Sequence, residues 1–227
     1  PRRSIETGGF APEALAVLPD FGPDFYNGVY GRYASRFGAH LVRLAAEPGL
    51  DAVKVIILHE GTATIVGVAA RDYRGLAACI TGALWQAGIR LRQAHLFSAM
   101  NHGLALDFFH VMPGGTRLGP ETARALERAI QERRAIADGA EAALPNVPGT
   151  ASLHDWSPGQ YCLRFESEMD ADGLIYALTY KVFRYLEGNI FGLAAHNRRG
   201  RAFVSVYLSL PPERTVEEAR RLVRERF

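Results

Sequence analysis

One pentapeptide, Asp72-Tyr-Arg-Gly-Leu76, has residue types that could bind a small molecule with both a negative and a positive group. It lies between an apolar run and a helical pattern, so Gly75 would stand at the start of a helix, where glycine lets a ligand approach the backbone closely. Unpaired N–H groups of a first helical turn favour an anion by roughly 0.3–1 kcal/mol. A carboxylate could therefore bind there, with Asp72 receiving an ammonium group and Arg74 adding a charge-assisted hydrogen bond worth roughly 1.5–3 kcal/mol.

A looser copy of this segment, Met169-Asp-Ala-Asp-Gly-Leu174, follows 98 positions later, counted from Leu76 to Leu174. Its Asp170 and Asp172 place two negative charges where a carboxylate would lie, and Coulomb repulsion opposes binding there. Asp172 would also serve as an ordinary helix cap. The candidate ligand-binding residues of the two copies are Asp72, Arg74, Gly75, Leu76, Asp170, Gly173 and Leu174.

A purely structural interpretation of both segments stays open at this level. Asp-x-x-Gly-Leu also makes a serviceable turn, in which the Asp caps a helix and the Gly supplies a backbone hinge. The same fold without a ligand would be a scaffold for dimerisation or protein interaction. This scaffold is the main alternative to a sensor.

The elements around the two segments repeat in the same order. A strand-like run precedes each segment, at 62–70 and 161–166, and a helical pattern with one apolar face follows it. Gly88 and Gly188 would end these helices. Two further strand-like runs joined at a turn come next, and then a second amphipathic helix. These later runs cover 89–99, 104–112 and 120–137 in the first copy, and 190–196, 202–208 and 216–227 in the second.

One more strand-like run stands ahead of each copy, at 53–58 and 151–155. The last helix of the second copy runs to residue 227 and leaves no residues for a closing fourth strand. We therefore expect the preceding run to fill the edge position beside the first strand of each copy. The predicted fold is α+β, with two ferredoxin-like βαββα modules, each a four-stranded antiparallel sheet with helices on one face.

The predicted domains are an N-terminal helical segment at 1–49, a first module at 50–140 and a second module at 150–227. Apolar residues at helical spacing predict an amphipathic helix over about 27–47. Glycine and proline indicate a linker around 138–150. A module that buries one sheet face and leaves its edges open favours pairing. The modules would thus pair with each other or in a homodimer, with small-molecule ligands at the seam.

The segment Asp72–Leu76, in this setting, resembles the ACT domain family. Gly103-Leu-Ala-Leu-Asp-Phe-Phe-His-Val111 is similar to the third-strand segment of the tandem ACT pair at the C-terminus of the bifunctional PII uridylyltransferase/uridylyl-removing enzymes. The helix with Tyr33 and His40-Leu-Val-Arg-Leu44 is similar to the stretch that leads into that pair. The resemblance covers most of residues 25–227. It implies a regulatory module of nitrogen metabolism that binds an amino acid, glutamine in those enzymes, and transmits the binding allosterically.

The sequence departs from that family in two ways. Arg74 and Asp172 stand where the family usually has proline before the motif glycine, and the second copy lacks the acidic residue after its third-strand alanine. The sequence contains no Gly-Ser segment with paired aspartates, which would mark a nucleotidyltransferase. His154-Asp155 lacks the helical partners that a metal phosphohydrolase needs. The sequence therefore predicts a chain that is not an enzyme and that needs no metal or cofactor.

Two other kinds of site have weaker support in the sequence than ligand binding. His95, His102 and His110 flank one hairpin, but no cysteine or carboxylate completes a metal-binding set, so separate surface histidines are expected. Cys79 and Cys162 fall at core positions and are expected to be buried, inert thiols.

An RNA-binding alternative comes from Arg199-Gly-Arg-Ala-Phe-Val-Ser-Val206, which resembles the RNP1 signature of an RNA-recognition motif. Arg201 and Val206 replace two of the three aromatic residues that stack on bases, so nucleic acid is the less favoured partner. The 227 residues are 48% apolar and carry a net charge of +2, which is too small to indicate nucleic acid by itself. No apolar run is long enough to cross a bilayer, and two cysteines fit a reducing cytoplasm.

Overall fold

The described residues form two modules of four strands and two α-helices each, and a further α-helix precedes the first module. The structure, a computed structural model, describes residues 17–22, 25, 30–112, 118–169 and 171–227. The helices are α1 Ala34–Ala46, α2 Leu76–Gln86, α3 Pro120–Gln131, α4 Leu174–Lys181 and α5 Val216–Arg226. The strands are β1 Lys54–Glu60, β2 Ala63–Arg71, β3 Leu91–Ala99, β4 Leu104–Val111, β5 Thr150–Ser157, β6 Gln160–Ser167, β7 Asn189–Arg198 and β8 Arg201–Ser209.

The eight strands form one sheet in the order β1-β2-β4-β3-β7-β8-β6-β5. The first and last four strands each reproduce the predicted module, and β1 and β5 lie antiparallel to β2 and β6 in the expected edge positions. The predicted α+β fold with two ferredoxin-like modules is thus confirmed. The structure adds that the modules share a sheet, because β3 pairs antiparallel with β7, from Gln93 opposite Ala194 to His95 opposite Gly192. This pairing satisfies two strand edges that would otherwise stay open.

The starts of α2 and α4 require glycine. Gly75 has φ 97° and Gly173 has φ 83° at the positions that precede the two helices. An L-residue adopts this left-handed conformation only at a cost of roughly 1–2 kcal/mol. The repeated Gly-Leu pair therefore has a direct structural reason in both modules.

The apolar pattern after Gly173 predicts one helix that continues to Gly188, and the structure differs. The α-helix ends at Lys181, and the chain continues as a π-helical turn, Val182–Leu186. Glu187 then takes a left-handed φ of 53° and ends the turn one residue before Gly188. Such π-turns often occur at functional sites.

Two other predicted helices are shorter than their apolar patterns. The helix predicted over 120–137 is α3, which ends at Gln131. Arg133 then takes φ 53°, and a separate 3-10 turn, Arg134–Ile136, follows. The helix predicted over 27–47 is α1, which a 3-10 turn, Gly31–Tyr33, precedes. Part of that predicted range lies outside the described residues.

The helices of the modules and the N-terminal segment lie on opposite faces of the sheet. The inner face packs against α2, α3, α4 and α5 in a core that both modules share. The outer face of the first module packs against α1, where Phe37, Leu41 and Leu44 are fully buried against residues such as Leu58 and Phe108. Burial of each such side chain contributes roughly 1.5–3 kcal/mol. The N-terminal segment is therefore part of the first module's core.

The three histidines of the first hairpin have separate partners. The Tyr30 hydroxyl lies 2.6 Å from Nε2 of His110, and Nδ1 of His102 lies 3.0 Å from Oδ2 of Asp20. The rings of His95 and His110 are 6.1 Å apart. No group of three metal-ligating side chains occurs among the residues that the structure describes. Within that part of the chain, none of the helices has the length and apolar character that crossing a membrane requires.

Candidate functional site

The seam between the modules is formed by α2 and α4 and by the strands β3 and β7. Thr81 of α2 and Thr179 of α4 are both buried, and their Oγ1 atoms lie 2.7 Å apart. Their positions differ by 98, the same interval that separates Gly75 from Gly173. The sequence repeat is thus also a spatial repeat, in which the modules face each other across an approximate two-fold axis near this threonine pair.

The Asp72–Leu76 loop lines a small cavity at this seam. Asp72, Gly75 and Leu76 contribute to its wall together with residues of β3 and β4. The second module closes the opposite side with Thr179, Phe183, Gly188, Asn189 and Ile190. The cavity volume is about 20 Å³, enough for one water molecule, which needs about 10–15 Å³. An amino acid can enter only if this wall moves.

Two carboxyl groups, those of Asp72 and Asp107, line the cavity. Ser98 Oγ donates a 2.6 Å hydrogen bond to Asp72, and the Phe97 N–H donates a 3.2 Å hydrogen bond to Asp107. Burial raises the pKa of Asp72, although the hydrogen bond from Ser98 opposes this shift. Asp107 is only 2% exposed, and burial together with the neighbouring charge of Asp72 raises its pKa well above the usual range.

Asp107 forms no ion pair within the described residues, although a buried carboxylate normally has a cationic partner. When the cavity holds no cation, the raised pKa favours the protonated, neutral side chain. A cationic group placed beside both carboxyls would reverse this preference, because an opposite charge favours the ionised form. The cavity is therefore suited to an ammonium group.

Arg74 lies outside this cavity and reaches the second module instead. Its Nη1 atom is 3.2 Å from Oε1 of Glu187, and Nη2 of Arg214 is 3.4 Å from Oε2 of the same glutamate. The Arg74 side chain is 57% exposed, so this ion pair contributes only about 0–1 kcal/mol. In this conformation Arg74 links the loop to the end of the π-turn and does not face the cavity.

Phe183, in the π-turn, covers the loop of the first module. A Cβ atom built on Gly75 would lie 2.8 Å from Cδ2 of the Phe183 ring, closer than real Cβ contacts. The relationship recurs in the other direction, because a Cβ on Gly173 would lie 2.7 Å from Nε1 of Trp85. Trp85 and Phe183 are again 98 positions apart, so each module places one aromatic side chain on the loop of the other.

The loop of the second module lines a much larger cavity, of about 500 Å³. Gly173 and Leu174 contribute to its wall, and so does Asp172, which pairs with Arg90 of the first module at 2.8 Å. Asp170, the remaining predicted site residue, lies outside the described residues. The other described lining residues are Thr81, Trp85, Gly88, Ile89, Leu91, Arg92, Met112, Ala171, Ile175, Tyr176, Ala195, His196, Asn197, Ala202, Phe203 and Val204.

The two cavities differ in the charged side chains that line them. Asp107 pairs with Val68 of β2 and Leu96 of β3, and Val204 pairs with the corresponding inner-face residues Phe165 of β6 and Ala195 of β7. A buried valine therefore replaces the buried carboxyl in the second module. Arg90 and Arg92 also enter the larger cavity, whereas the described walls of the smaller one have no arginine or lysine.

The sequence prediction missed several residues of the seam as site residues. Asp107 was visible as one charge within the apolar run of β4, and this was the available signal. Trp85 and Phe183 carry no signal of a site, because aromatic residues on an apolar helix face usually belong to a core. Their positions beside Gly173 and Gly75 emerge only when the modules are placed together.

Comparison with known proteins finds one protein that is similar over part of this chain. No family model matches the chain. It is 34% identical over 105 residues to the bifunctional uridylyltransferase/uridylyl-removing enzyme of Streptomyces coelicolor. The match covers 46% of this chain and 12% of that protein. The chain is therefore similar to a small part of a much longer enzyme.

Two solved structures are similar at a lower level. One is a candidate glycine cleavage system transcriptional repressor, with 11% identity, a TM-score of 0.25, and coverage of 69% of this chain and 84% of that one. The other is a hypothetical protein, with 13% identity, a TM-score of 0.23, and coverage of 75% and 88%. At these TM-scores neither likeness bears on function.

Proposed function

We propose that this chain is a non-catalytic regulatory sensor of the ACT type, which binds an amino acid at the seam between its two modules. The observation that carries the proposal is Asp107, a buried carboxyl beside Asp72 in a cavity that both modules line. Partial similarity to a uridylyltransferase/uridylyl-removing enzyme supports a regulatory role of this kind. The proposal locates the sensor in the cytoplasm, where the buried free thiols of Cys79 and Cys162 would stay reduced.

The ligand's α-ammonium group would pair with Asp72 and Asp107. Its α-carboxylate would lie at the first turn of α2, where the helix dipole and backbone N–H groups favour an anion. Charge-assisted hydrogen bonds contribute roughly 1.5–3 kcal/mol each, so a few of them predict micromolar to millimolar affinity. Glutamine is the first ligand to test, because the sequence resembles the tandem ACT pair in which glutamine is bound.

Binding at this position would be coupled to the packing of the modules. The 20 Å³ cavity must enlarge, so Phe183 has to leave Gly75, and the contact between Arg74 and Glu187 has to adjust. A ligand that binds only the enlarged state shifts the population toward that state. An attached or separate partner protein that senses the position of the π-turn would then respond to the amino acid.

A thermal-shift screen of the twenty amino acids, followed by calorimetry on those that stabilise the chain, tests the proposal. A ligand at 100 times its Kd stabilises the native state by roughly 2.7 kcal/mol. Replacing Asp107 with asparagine should weaken binding roughly 10- to 100-fold, because the charged partner of the ammonium group is lost. Asp155→Asn, which changes an exposed aspartate paired with Arg220, is the matched control and should bind normally.

Two results would refute the amino-acid sensor. One is the absence of stabilisation by any amino acid at millimolar concentration. The other is equal affinity of Asp107→Asn and the unaltered chain. The first would favour the second candidate, a ligand-free interaction scaffold, for which the small cavity volume of about 20 Å³ is the supporting observation. The second would mean that the amino acid does not bind through Asp107.

A further inference from the structure

The larger cavity differs from the smaller one in size. Its 500 Å³ is within the range of roughly 300–1,000 Å³ that is typical of small-molecule sites. Both modules line it, with α2, the start of β3 and the hairpin of β7 and β8 around the first turn of α4. It has this volume in the same conformation in which the smaller cavity has room for only about one water molecule. A ligand could therefore enter without separating Phe183 from Gly75.

The walls of the larger cavity carry several flat side chains. Trp85 and Tyr176 are stacked, with ring centroids 5.4 Å apart and planes inclined by 27°. His196 and Phe203 are stacked at 5.3 Å with an inclination of 10°. Stacking on an aromatic side chain contributes roughly 1–3 kcal/mol per ligand ring when measured by alanine substitution. Two such pairs in one cavity favour a planar ring.

Positive charge accompanies these rings. Arg92 is exposed, lines the cavity and forms no ion pair within the described part of the chain. Arg90 pairs with Asp172, but both side chains are largely exposed, at 49% and 71%, so the pair is weak and can rearrange. A guanidinium fork matches the geometry of a carboxylate or a phosphate. Asp172 repels an anion at the first turn of α4, so an anionic group would pair with Arg92 instead, a partner that the smaller cavity lacks.

We infer that the larger cavity binds a planar aromatic ring that carries an anionic group, a ligand class different from that of the smaller cavity. Arg92 would hold the anionic group, and the ring would stack on Phe203 or Trp85. Both nucleotides and aromatic carboxylates have this chemistry. This binding does not depend on amino-acid binding at Asp107, so the chain would combine two chemically distinct signals at one seam.

Calorimetry with four probes separates the contributions of ring and anion. Adenosine monophosphate and phenylpyruvate carry both, adenosine carries only the ring, and inorganic phosphate carries only the charge. At least one of the first two should bind 10-fold or more tightly than either partial probe, as expected for an added charge-assisted contact of roughly 1.5–3 kcal/mol. Preference for the nucleotide or for phenylpyruvate identifies the source of the anionic group.

Two variants locate the binding. Arg92→Gln removes the charge and Phe203→Leu removes the ring at similar volume, so each should weaken the tighter probe about 10-fold or more. Arg224→Gln, on the exposed face of α5, is the matched control and should leave the affinity unchanged. In a Trp156→Phe background, the remaining tryptophan, Trp85, should report the probe by a fluorescence change.

The inference is overturned if neither ring-bearing anion binds, if the partial probes bind as tightly, or if Arg92→Gln behaves like Arg224→Gln. A failed amino-acid screen leaves these measurements unaffected, because they depend on Arg92 and Phe203 rather than on Asp107. The two proposals can therefore fail separately.

Discussion

The ring of Phe183 lies against Gly75 so closely that a Cβ atom on the glycine would be 2.8 Å from Cδ2 of the ring. One residue of the second module thus closes the loop of the first. The contact joins a left-handed glycine to a π-helical turn, and both are local departures from regular backbone. Since the acidic cavity lies directly beneath, this contact is where ligand entry and module packing would be coupled.

Gly75→Ala should destabilise the fold through this contact. The substitution adds left-handed strain of roughly 1–2 kcal/mol and a clash with the ring, so a total loss of about 2–4 kcal/mol in the free energy of unfolding is expected. Urea denaturation measures it. Gly88→Ala is the control, because Gly88 has φ 70° and nothing within 4 Å of an added Cβ, so it carries the strain alone.

The clash component can be isolated by a double-mutant cycle with Phe183→Ala. Removing the ring should relieve the clash, so Gly75→Ala should then cost about as much as Gly88→Ala, roughly 1–2 kcal/mol. An unchanged cost of Gly75→Ala in the Phe183→Ala background would show that the ring does not press on this loop.

Stability should fall as the pH rises because of Asp107. Its pKa is raised in the folded state, so between the unfolded pKa, about 3.9, and the folded value the native state binds more protons than the unfolded state. The contribution is fully present below the unfolded pKa and is lost as the pH rises through the folded pKa. Asp72 is shifted in the same direction and adds to the trend.

Comparison of the unaltered chain with Asp107→Asn by urea denaturation from pH 4 to pH 8 measures this effect. The variant should gain stability relative to the unaltered chain as the pH rises, because its amide does not ionise. A constant difference across this range would mean that Asp107 titrates like an exposed carboxyl.

The threonine pair at the seam should couple the two modules energetically. The Oγ1 atoms of Thr81 and Thr179 lie 2.7 Å apart, and each also lies within hydrogen-bonding distance of its own helix carbonyls. Thr81→Val and Thr179→Val should each cost roughly 0.5–1.5 kcal/mol, and the double variant should cost less than their sum. Strict additivity in urea denaturation would show that the two hydroxyls do not interact.

The N-terminal segment should be indispensable to the first module. Phe37 is fully buried beside Phe108, and a Cβ on Gly67 would be 2.7 Å from its ring. Phe37→Ala should cost about 3–5 kcal/mol. Met100→Ala, at a side chain that is 74% exposed, should change the free energy of unfolding by less than about 0.5 kcal/mol. Similar losses for both would place Phe37 outside the core.

Local sequence signals were sufficient for the modules but not for their seam. The Gly-Leu repeat and the paired apolar runs predicted helix starts, hairpins and edge strands, because periodicity and glycine act over a few residues. Pairing of β3 with β7 leaves no such periodic signal, since an edge strand looks the same whether it faces solvent or another strand. Contacts such as Phe183 on Gly75 follow from that pairing and could not be predicted before it.

The candidate site was likewise predicted only in part. Asp72, Gly75 and Leu76 line the small cavity at the seam, yet Arg74 was expected to face the ligand and instead reaches Glu187 across the seam. The partner of an exposed arginine depends on which element lies opposite, and that element belongs to the other module. Asp107 needed the same tertiary information, because one aspartate in an apolar strand becomes a site residue only when a cavity adjoins it.

Calorimetry of glutamine, or of the amino acid that the screen selects, in two buffers of different ionisation enthalpy tests the central claim most directly. If the ammonium group pairs with Asp107, binding at a pH below the raised pKa of this carboxyl should release up to about one proton, so the measured heat should differ between the two buffers. Asp107→Asn should bind weakly and release fewer protons, because only Asp72 remains to ionise. Tight binding with the same heat in both buffers, or unchanged proton release in the variant, would contradict the account.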